Sequence, residues 1–217
     1  GIRDSSTSRG SEMCIRDRYK PTYITQHTLN LTGGSEVGRY LVSFDYLDQP
    51  GLVKNTEYQR YSYRVNTDLN IGKMLKVSSD VTYRHVDRLW PESLGSVQYD
   101  VWSMQPTSPV RYENGDYRLD KQNRNAISLM DLDVVGEDRY NMDVVYGQVK
   151  ADFEPIKDLV FTGMASLNGS WDRRKIHYKN YKYYNETGEL VTQRNNPNSV
   201  KDSRNNSYQM TLLSLIH

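Results

Sequence analysis

The stretch Tyr61-Ser62-Tyr63-Arg64-Val65-Asn66-Thr67-Asp68-Leu69-Asn70-Ile71 alternates strictly between two kinds of side chain. One set is Tyr61, Tyr63, Val65, Thr67, Leu69 and Ile71; the other is Ser62, Arg64, Asn66, Asp68 and Asn70. A repeat of two is the period of a β-strand, whose successive side chains leave opposite faces. After Gly72-Lys73-Met74 the pattern resumes, with Leu75, Val77, Val81 and Tyr83 set against Lys76, Ser78, Asp80, Thr82 and Arg84. Two alternating runs joined by so short a Gly-containing connection predict a hairpin.

Working outward, the same grammar recurs. Val145, Gly147, Val149, Ala151 and Phe153 alternate with Tyr146, Gln148, Lys150 and Asp152. The connection Glu154-Pro155-Ile156-Lys157-Asp158 carries turn residues, and Leu159, Phe161, Gly163, Ala165 and Leu167 lead back. Upstream, His27, Leu29 and Leu31 run into Gly33-Gly34-Ser35-Glu36, and Tyr40, Val42, Phe44 and Tyr46 return. Tyr208, Met210 and Leu212 begin a seventh strand. Connections after the first, third and fifth strands are short. Leu47 to Glu57 is medium, and Asp87 to Arg139 and Trp171 to Asn206 are long. Short turns at one end and long loops at the other is the transmembrane β-barrel pattern. No internal repeat and no clear amphipathic helix is visible.

The second face carries Arg64, Asp68, Lys76, Asp80, Arg84, Lys150 and Asp152, which cannot sit unpaired in a dry core. In a wide barrel they face a hydrated lumen; in a sandwich they face solvent. The period of two leaves both arrangements open.

Composition removes other classes. The 217 residues are 36% hydrophobic with a mean hydropathy of −0.80, and no run approaches what a membrane helix needs. Charged residues make up 25% and nearly cancel, to +1, which argues against a disordered polyelectrolyte and against a nucleic-acid footprint. A single cysteine builds no disulfide framework. Tyrosine is abundant, 18 against 3 Phe. An apolar ring with a polar tip suits a wet β-rich surface or a membrane-interface girdle.

The two ends read differently. Glu12-Met13-Cys14-Ile15-Arg16-Asp17-Arg18, read back into codons, resembles the transposase end used in tagmentation libraries, and Leu213-Ser214-Leu215-Ile216-His217 resembles its reverse complement. Residues 1–18 and 213–217 are therefore expected to be adapter-derived, with 1–18 disordered. That leaves 19–212 as a piece of a longer protein.

Within that piece the residues resemble a family. Tyr46-Leu47-Asp48-Gln49-Pro50-Gly51-Leu52-Val53-Lys54-Asn55-Thr56-Glu57-Tyr58-Gln59-Arg60-Tyr61 resembles the early barrel segment of SusC/RagA-type TonB-linked outer-membrane proteins. The lead-in Gln26 to Glu36 looks like the segment just after the family's plug. Met74-Leu75-Lys76-Val77 resembles the turn opening its fourth strand. Pro106 to Tyr117 resembles its Pro-rich segment ending in an Asn-Gly-x-Tyr turn. The resemblance implies an all-β fold of antiparallel up-and-down strands. It would be a partial transmembrane β-barrel, roughly the first six or seven strands of a barrel of about 22, with long extracellular loops. It implies a Bacteroidetes transporter in the Gram-negative outer membrane that imports oligosaccharides or peptides. The implied partners are a SusD-like surface lipoprotein, the glycan or peptide substrate, outer-membrane lipid, and TonB acting through an N-terminal region absent here. An extracellular carbohydrate-binding or adhesion module, and a β-rich glycoside hydrolase, are the competing readings.

Catalytic motifs are absent. Gly33 to Tyr40 has the glycine spacing of a phosphate loop without its Lys or Ser/Thr. Asp131-Leu132-Asp133-Val134-Val135-Gly136 starts like a Ca²⁺ loop, but Val135 replaces an oxygen ligand and Met142 the bidentate Glu. His27, His85 and His177 lack metal-ligand spacing. No catalytic residue, metal or cofactor is expected. Trp90, Trp102, Tyr112 and Tyr117, all placed in the loop after the fourth strand, are the candidate substrate contacts, because aromatic faces stack on sugar rings and other flat or apolar surfaces. Lys179 to Leu190 reads as a loop hairpin turning at Thr187-Gly188.

Overall fold

The computed structural model describes residues 20–103, 109–119, 123 and 125–216, with the Gln98 and Trp102 side chains also outside the description. Seven strands form one antiparallel sheet: β1 (Thr25–Gly34), β2 (Gly38–Asp48), β3 (Glu57–Ile71), β4 (Leu75–Pro91), β5 (Gly136–Ile156), β6 (Leu159–Tyr178) and β9 (Ser199–Ile216). Each pairs with the next along the chain; a small hairpin, β7 (Tyr181–Tyr184) with β8 (Leu190–Arg194), interrupts the run between β6 and β9. The fold is all-β and up-and-down. The adapter-like residues 1–18 lie outside the described residues, whereas Leu213–Ile216 continue β9.

The register explains the alternation. Leu31, Val42, Val65, Val81, Gly147, Leu167 and Met210 lie in one row across the sheet, and Leu29, Phe44, Tyr63, Tyr83, Val145, Gly169 and Tyr208 lie in the next. Among the described residues nothing packs on this apolar face: Leu31 is 58% exposed, Val149 51% and Leu167 50%. A sandwich would have covered it with a second sheet. Aromatic rings gather at its long-loop end, where Phe44, Tyr63 and Tyr83 follow one another at centroid spacings of 5.0 and 6.2 Å. Trp171 gives its Nε1–H to the Tyr208 hydroxyl at 2.7 Å. From Tyr61 to Ile71 the band runs ~34 Å along the strand, or ~25 Å of height at a barrel tilt of ~45°. Those are the proportions of a lipid-facing belt.

Polar groups on the opposite face satisfy one another between strands. The Asp45 carboxylate accepts from Gln26 Nε2 at 2.8 Å, Thr28 Oγ1 at 2.9 Å and Arg60 Nη2 at 2.9 Å. Asp152 accepts from Thr162 Oγ1 at 2.6 Å and pairs with Lys150 at 2.9 Å. At Leu213 the alternation inverts: Leu213 and Leu215 fall on this polar face, opposite Met164 and Thr162, while Ser214 takes an apolar-face position.

Three expectations are corrected. Asp87–Pro91 and Gly136–Arg139 belong to strands, not to the loop between them. Likewise β6 runs on to Tyr178 and β9 begins at Ser199. A helix, α1 (Leu94–Ser103), occupies the long loop where none was expected. It buries Val97, with Leu94 and Val101 packed beside it, an i, i+3, i+7 stripe.

Candidate functional site

Short turns close one end of the sheet at residues 35–37, 72–74 and 157–158. All longer connections, 49–56, 92–135 and 179–198, leave from the other end, and there the loops build a hydrophobic core of their own. Val97, Tyr117, Leu129, Met130, Val134, Val135 and Tyr183 are buried together, with Val53, Val110 and Ile127 among those packed against them. Leu129 and Met130 sit in a short 3-10 turn, Ser128–Met130.

Polar contacts fasten loop to loop. The Asn55 side-chain amide donates to the Met130 carbonyl at 2.8 Å. Ser128 Oγ and the Tyr183 hydroxyl lie 2.9 Å apart. Lys179 Nζ donates to Asp133 at 2.8 Å, and Arg194 Nη2 to Ser93 Oγ at 2.7 Å. Asn125, nearly sealed from solvent, donates to the Val110 and Arg118 carbonyls at 2.8 and 2.7 Å and accepts from Ser128 N–H at 3.0 Å. One amide thus holds three turns of the loop, because a buried polar group must find partners.

Gly136 is the hinge where the long loop rejoins the sheet. Its φ is +90°, and a Cβ there would come within 1.8 Å of the His177 carbonyl oxygen. Its own carbonyl accepts from Glu92 N–H at 3.3 Å, so the strand ends around it are tied through its backbone.

Beneath the loops, on the polar face of the strand ends, lies an ionic and aromatic cluster. Asp138, 4% exposed, takes a two-pronged contact from Arg174, Nε at 2.9 Å and Nη2 at 2.6 Å. Arg88 approaches the same carboxylate at 3.6 Å, and its guanidinium lies 3.9 Å from the Trp90 ring centroid and 5.0 Å from that of Tyr140. Beside this cluster opens a cavity of about 690 Å³, lined by residues that include Leu52, Val53, Tyr58, Trp90, Leu94 and Val97. Its walls are mostly apolar, which is the make-up of a small-molecule or side-chain pocket.

The four candidate aromatics separate. Trp90 is on β4, not in the loop, and lines the cavity. Tyr112 is half-buried on the loop with Arg118 5.7 Å from its ring centroid. Tyr117 is 4% exposed; its hydroxyl donates to Asp131 at 2.6 Å, so its ring packs the loops. Burial, reinforced by that acceptor, holds the Tyr117 hydroxyl above its ordinary ionisation range. The Trp102 side chain lies outside the described residues. The Ca²⁺-like run is structural: Asp131 takes the Tyr117 hydroxyl, and its other oxygen accepts from Asp133 N–H at 2.9 Å. A hydrogen bond from Lys179, with its charge, holds the Asp133 carboxyl below its ordinary range. Leu52, Val53, Leu94 and Val97 had no functional signal in the sequence; only the i, i+3 spacing of the last two hinted at a buried stripe.

No family model matches the chain. A TonB-dependent receptor of Formosa agariphila is 32% identical over 98 residues, which cover 45% of this chain and 10% of that protein. The RagAB peptide importer in its open-open state superposes with a TM-score of 0.65 at 19% identity, covering 93% of this chain and 22% of that one. In its closed-closed state the TM-score is 0.63 at 20% identity, covering 81% and 20%. The chain thus spans a tenth of the receptor's length and about a fifth of the importer chains. These relatives are a TonB-dependent receptor and peptide importers. In sequence the chain is similar to a TonB-dependent receptor, and in fold it is similar to the RagAB importer chains, whose antiparallel up-and-down all-β arrangement its seven-stranded sheet shares.

Proposed function

We propose that this chain supplies wall strands and substrate-facing loops to an outer-membrane importer of oligosaccharides or peptides. Its long loops meet a SusD-like lipoprotein, and TonB drives transport through a plug domain outside this chain. The observation that carries the reading is the cavity at the long-loop end. It sits beside the polar face, where a lumen would be, and is walled by Trp90, Tyr58 and loop aliphatics. A ring or an apolar side chain entering it would stack on Trp90, already polarised by Arg88 on its face. Tyr112 offers a second, more exposed ring, while Tyr117 and Asp131 keep the loop in shape. The importer fold of RagAB favours peptides as the first substrates to try. The bare apolar face argues against a soluble binding module, which would expose it to water.

The test is uptake by the complete receptor of labelled oligopeptides and labelled oligosaccharides. Trp90→Ala should weaken binding of the imported class about tenfold, and Trp90→Phe should restore most of it. Uptake indifferent to both changes would refute the pocket.

The assignment of residues 1–18 and 213–217 to library adapters, and of 19–212 to the receptor, belongs to the same reading. It is supported by the inverted alternation that begins at Leu213. Resequencing the locus without transposase tagging tests it: those codons should vanish and the frame continue.

A further inference from the structure

Beyond the aromatic belt, toward the long loops, the apolar face gives way to a charged rim, and the charge is divided. On β2, β3 and β4 the rim positions are Asp48, Gln59, Glu57, Asp87 and Leu89, with no cation among the described residues. On β5, β6 and β9 the same two rows carry Arg139, Arg173, Lys175 and Arg204 against Asp202, with Glu137 one row farther out. Asp202 is shared by two cations, Arg173 at 2.9 Å and Arg204 at 3.8 Å, and Arg139 reaches Glu137 at 3.6 Å. Lys175 makes no salt bridge among the described residues. The arginines stay open to their surroundings, with side chains 46%, 51% and 68% exposed for Arg139, Arg173 and Arg204. Four cations and two anions leave a surplus of positive charge on three adjacent strands.

Depth decides what meets that surplus. Arg173 stands two residues beyond Trp171 on β6, and Lys175 four; Arg139 stands four beyond Asp143 in the same belt row. Two to four residues are ~7–14 Å of strand, or ~5–10 Å along the membrane normal at a tilt of ~45°. The headgroup layer beyond the hydrocarbon is ~5–8 Å thick on each side. The cations therefore lie where lipid headgroups lie, on the side that faces lipid rather than lumen. We infer that the β5–β6–β9 rim is a binding site for a phosphate-bearing lipid of the outer leaflet. Its phosphates would bridge Lys175 to the arginines, with Trp171 and Tyr208 against the upper acyl chains. This inference rests on the outer-membrane reading above.

The test uses the complete receptor in nonionic detergent, titrated with bisphosphorylated lipid A and followed by native mass spectrometry. The combined Arg139→Gln, Arg173→Gln, Lys175→Gln, Arg204→Gln variant should lose about fivefold in retention per cation removed. Neutralising the opposite rim (Asp48→Asn, Glu57→Gln, Asp87→Asn) should lose nothing. Lipid A stripped of phosphate should bind wild type and variant alike, and inorganic phosphate should not compete; strong competition would mean a free-anion site and overturn the lipid assignment. Equal retention by wild type and the four-cation variant overturns the proposal. Heat-modifiable gel mobility reports whether each variant is folded. If the combined variant is not, Lys175→Gln and Arg204→Gln singly carry the comparison. A receptor that does not fractionate with the outer membrane would defeat the transporter reading itself, whereas correct fractionation with equal retention defeats only the rim site.

Discussion

Leu129→Ala isolates the loop core from the wall. Leu129 is 3% exposed and belongs, with Val97, Tyr117 and Tyr183, to a cluster of seven buried residues among those described. Truncating a buried leucine removes its transfer energy and leaves a cavity, together about 3 kcal/mol where neighbours cannot collapse. Collapse is hindered here because Asn55, Asn125 and Lys179 pin the surrounding turns by hydrogen bonds. The loss should fall on local opening of the loops, raising their opening constant about a hundredfold, and not on the seven-stranded sheet, none of whose described residues belongs to the cluster. The assay is hydrogen exchange by mass spectrometry on the complete receptor. Peptides covering 110–119 and 125–135 should exchange about a hundred times faster, while peptides from β3, β4 and β6 keep their rates. Unchanged loop exchange would show that these residues do not act as a core. Equal acceleration in the strands would show that loops and wall unfold as one unit.

Two further outcomes follow from single contacts. Gly136→Ala should destabilise the upper ends of β5 and β6 by at least 2 kcal/mol. It forces a side chain onto a left-handed backbone and against the His177 carbonyl, and faster exchange at 176–179 would register it. The Lys179–Asp133 contact should be pH-dependent with a definite sign. The Asp133 carboxyl is held below its ordinary value of 3.8, so its contribution is full above that value and is lost as pH falls through the lowered one. Loop proteolysis by an acid-tolerant protease should rise only below about pH 4, and Lys179→Met should abolish that dependence.

Much of the wall was legible because its middle has two chemically different faces. Residues 61–71 and 75–83 alternate since one side is an apolar face and the other carries polar groups paired between strands, and the turn at Gly72 needs the positive φ of 67° that glycine supplies cheaply. Where both faces are wet the signal disappears. At 137–141 and 172–175 charged and amide residues occupy both sides, so the upper ends of β5 and β6 read as loop. α1 went unread for a different reason. Ten residues with Gly95 near the start and an apolar stripe of three look like loop sequence, and tertiary packing on Met130 and Val135 makes the helix. Among the aromatics, sequence could mark Trp90 and Tyr117 as unusual but could not separate a ring that lines a cavity from one that seals a core. That difference depends on where Asp131 and Leu94 arrive in space.

The meander order of the sheet also bears on how the wall is made. Every strand pairs with its neighbour in the chain, apart from the small hairpin between β6 and β9, so assembly can proceed by adding one hairpin at a time. The three short turns make those steps quick. Joining β4 to β5 is the slow one: the 92–135 connection is about fifteen times longer than the 72–74 turn, and closing it costs about 2 kcal/mol more in chain entropy. Most of the loop core lies within that same connection, whose ends are tied by the Glu92 N–H donating to the Gly136 carbonyl. A core that orders most of this connection shortens the chain left to close, so a sequence that loses it should register β5 on β4 more slowly than β1–β4 pair among themselves.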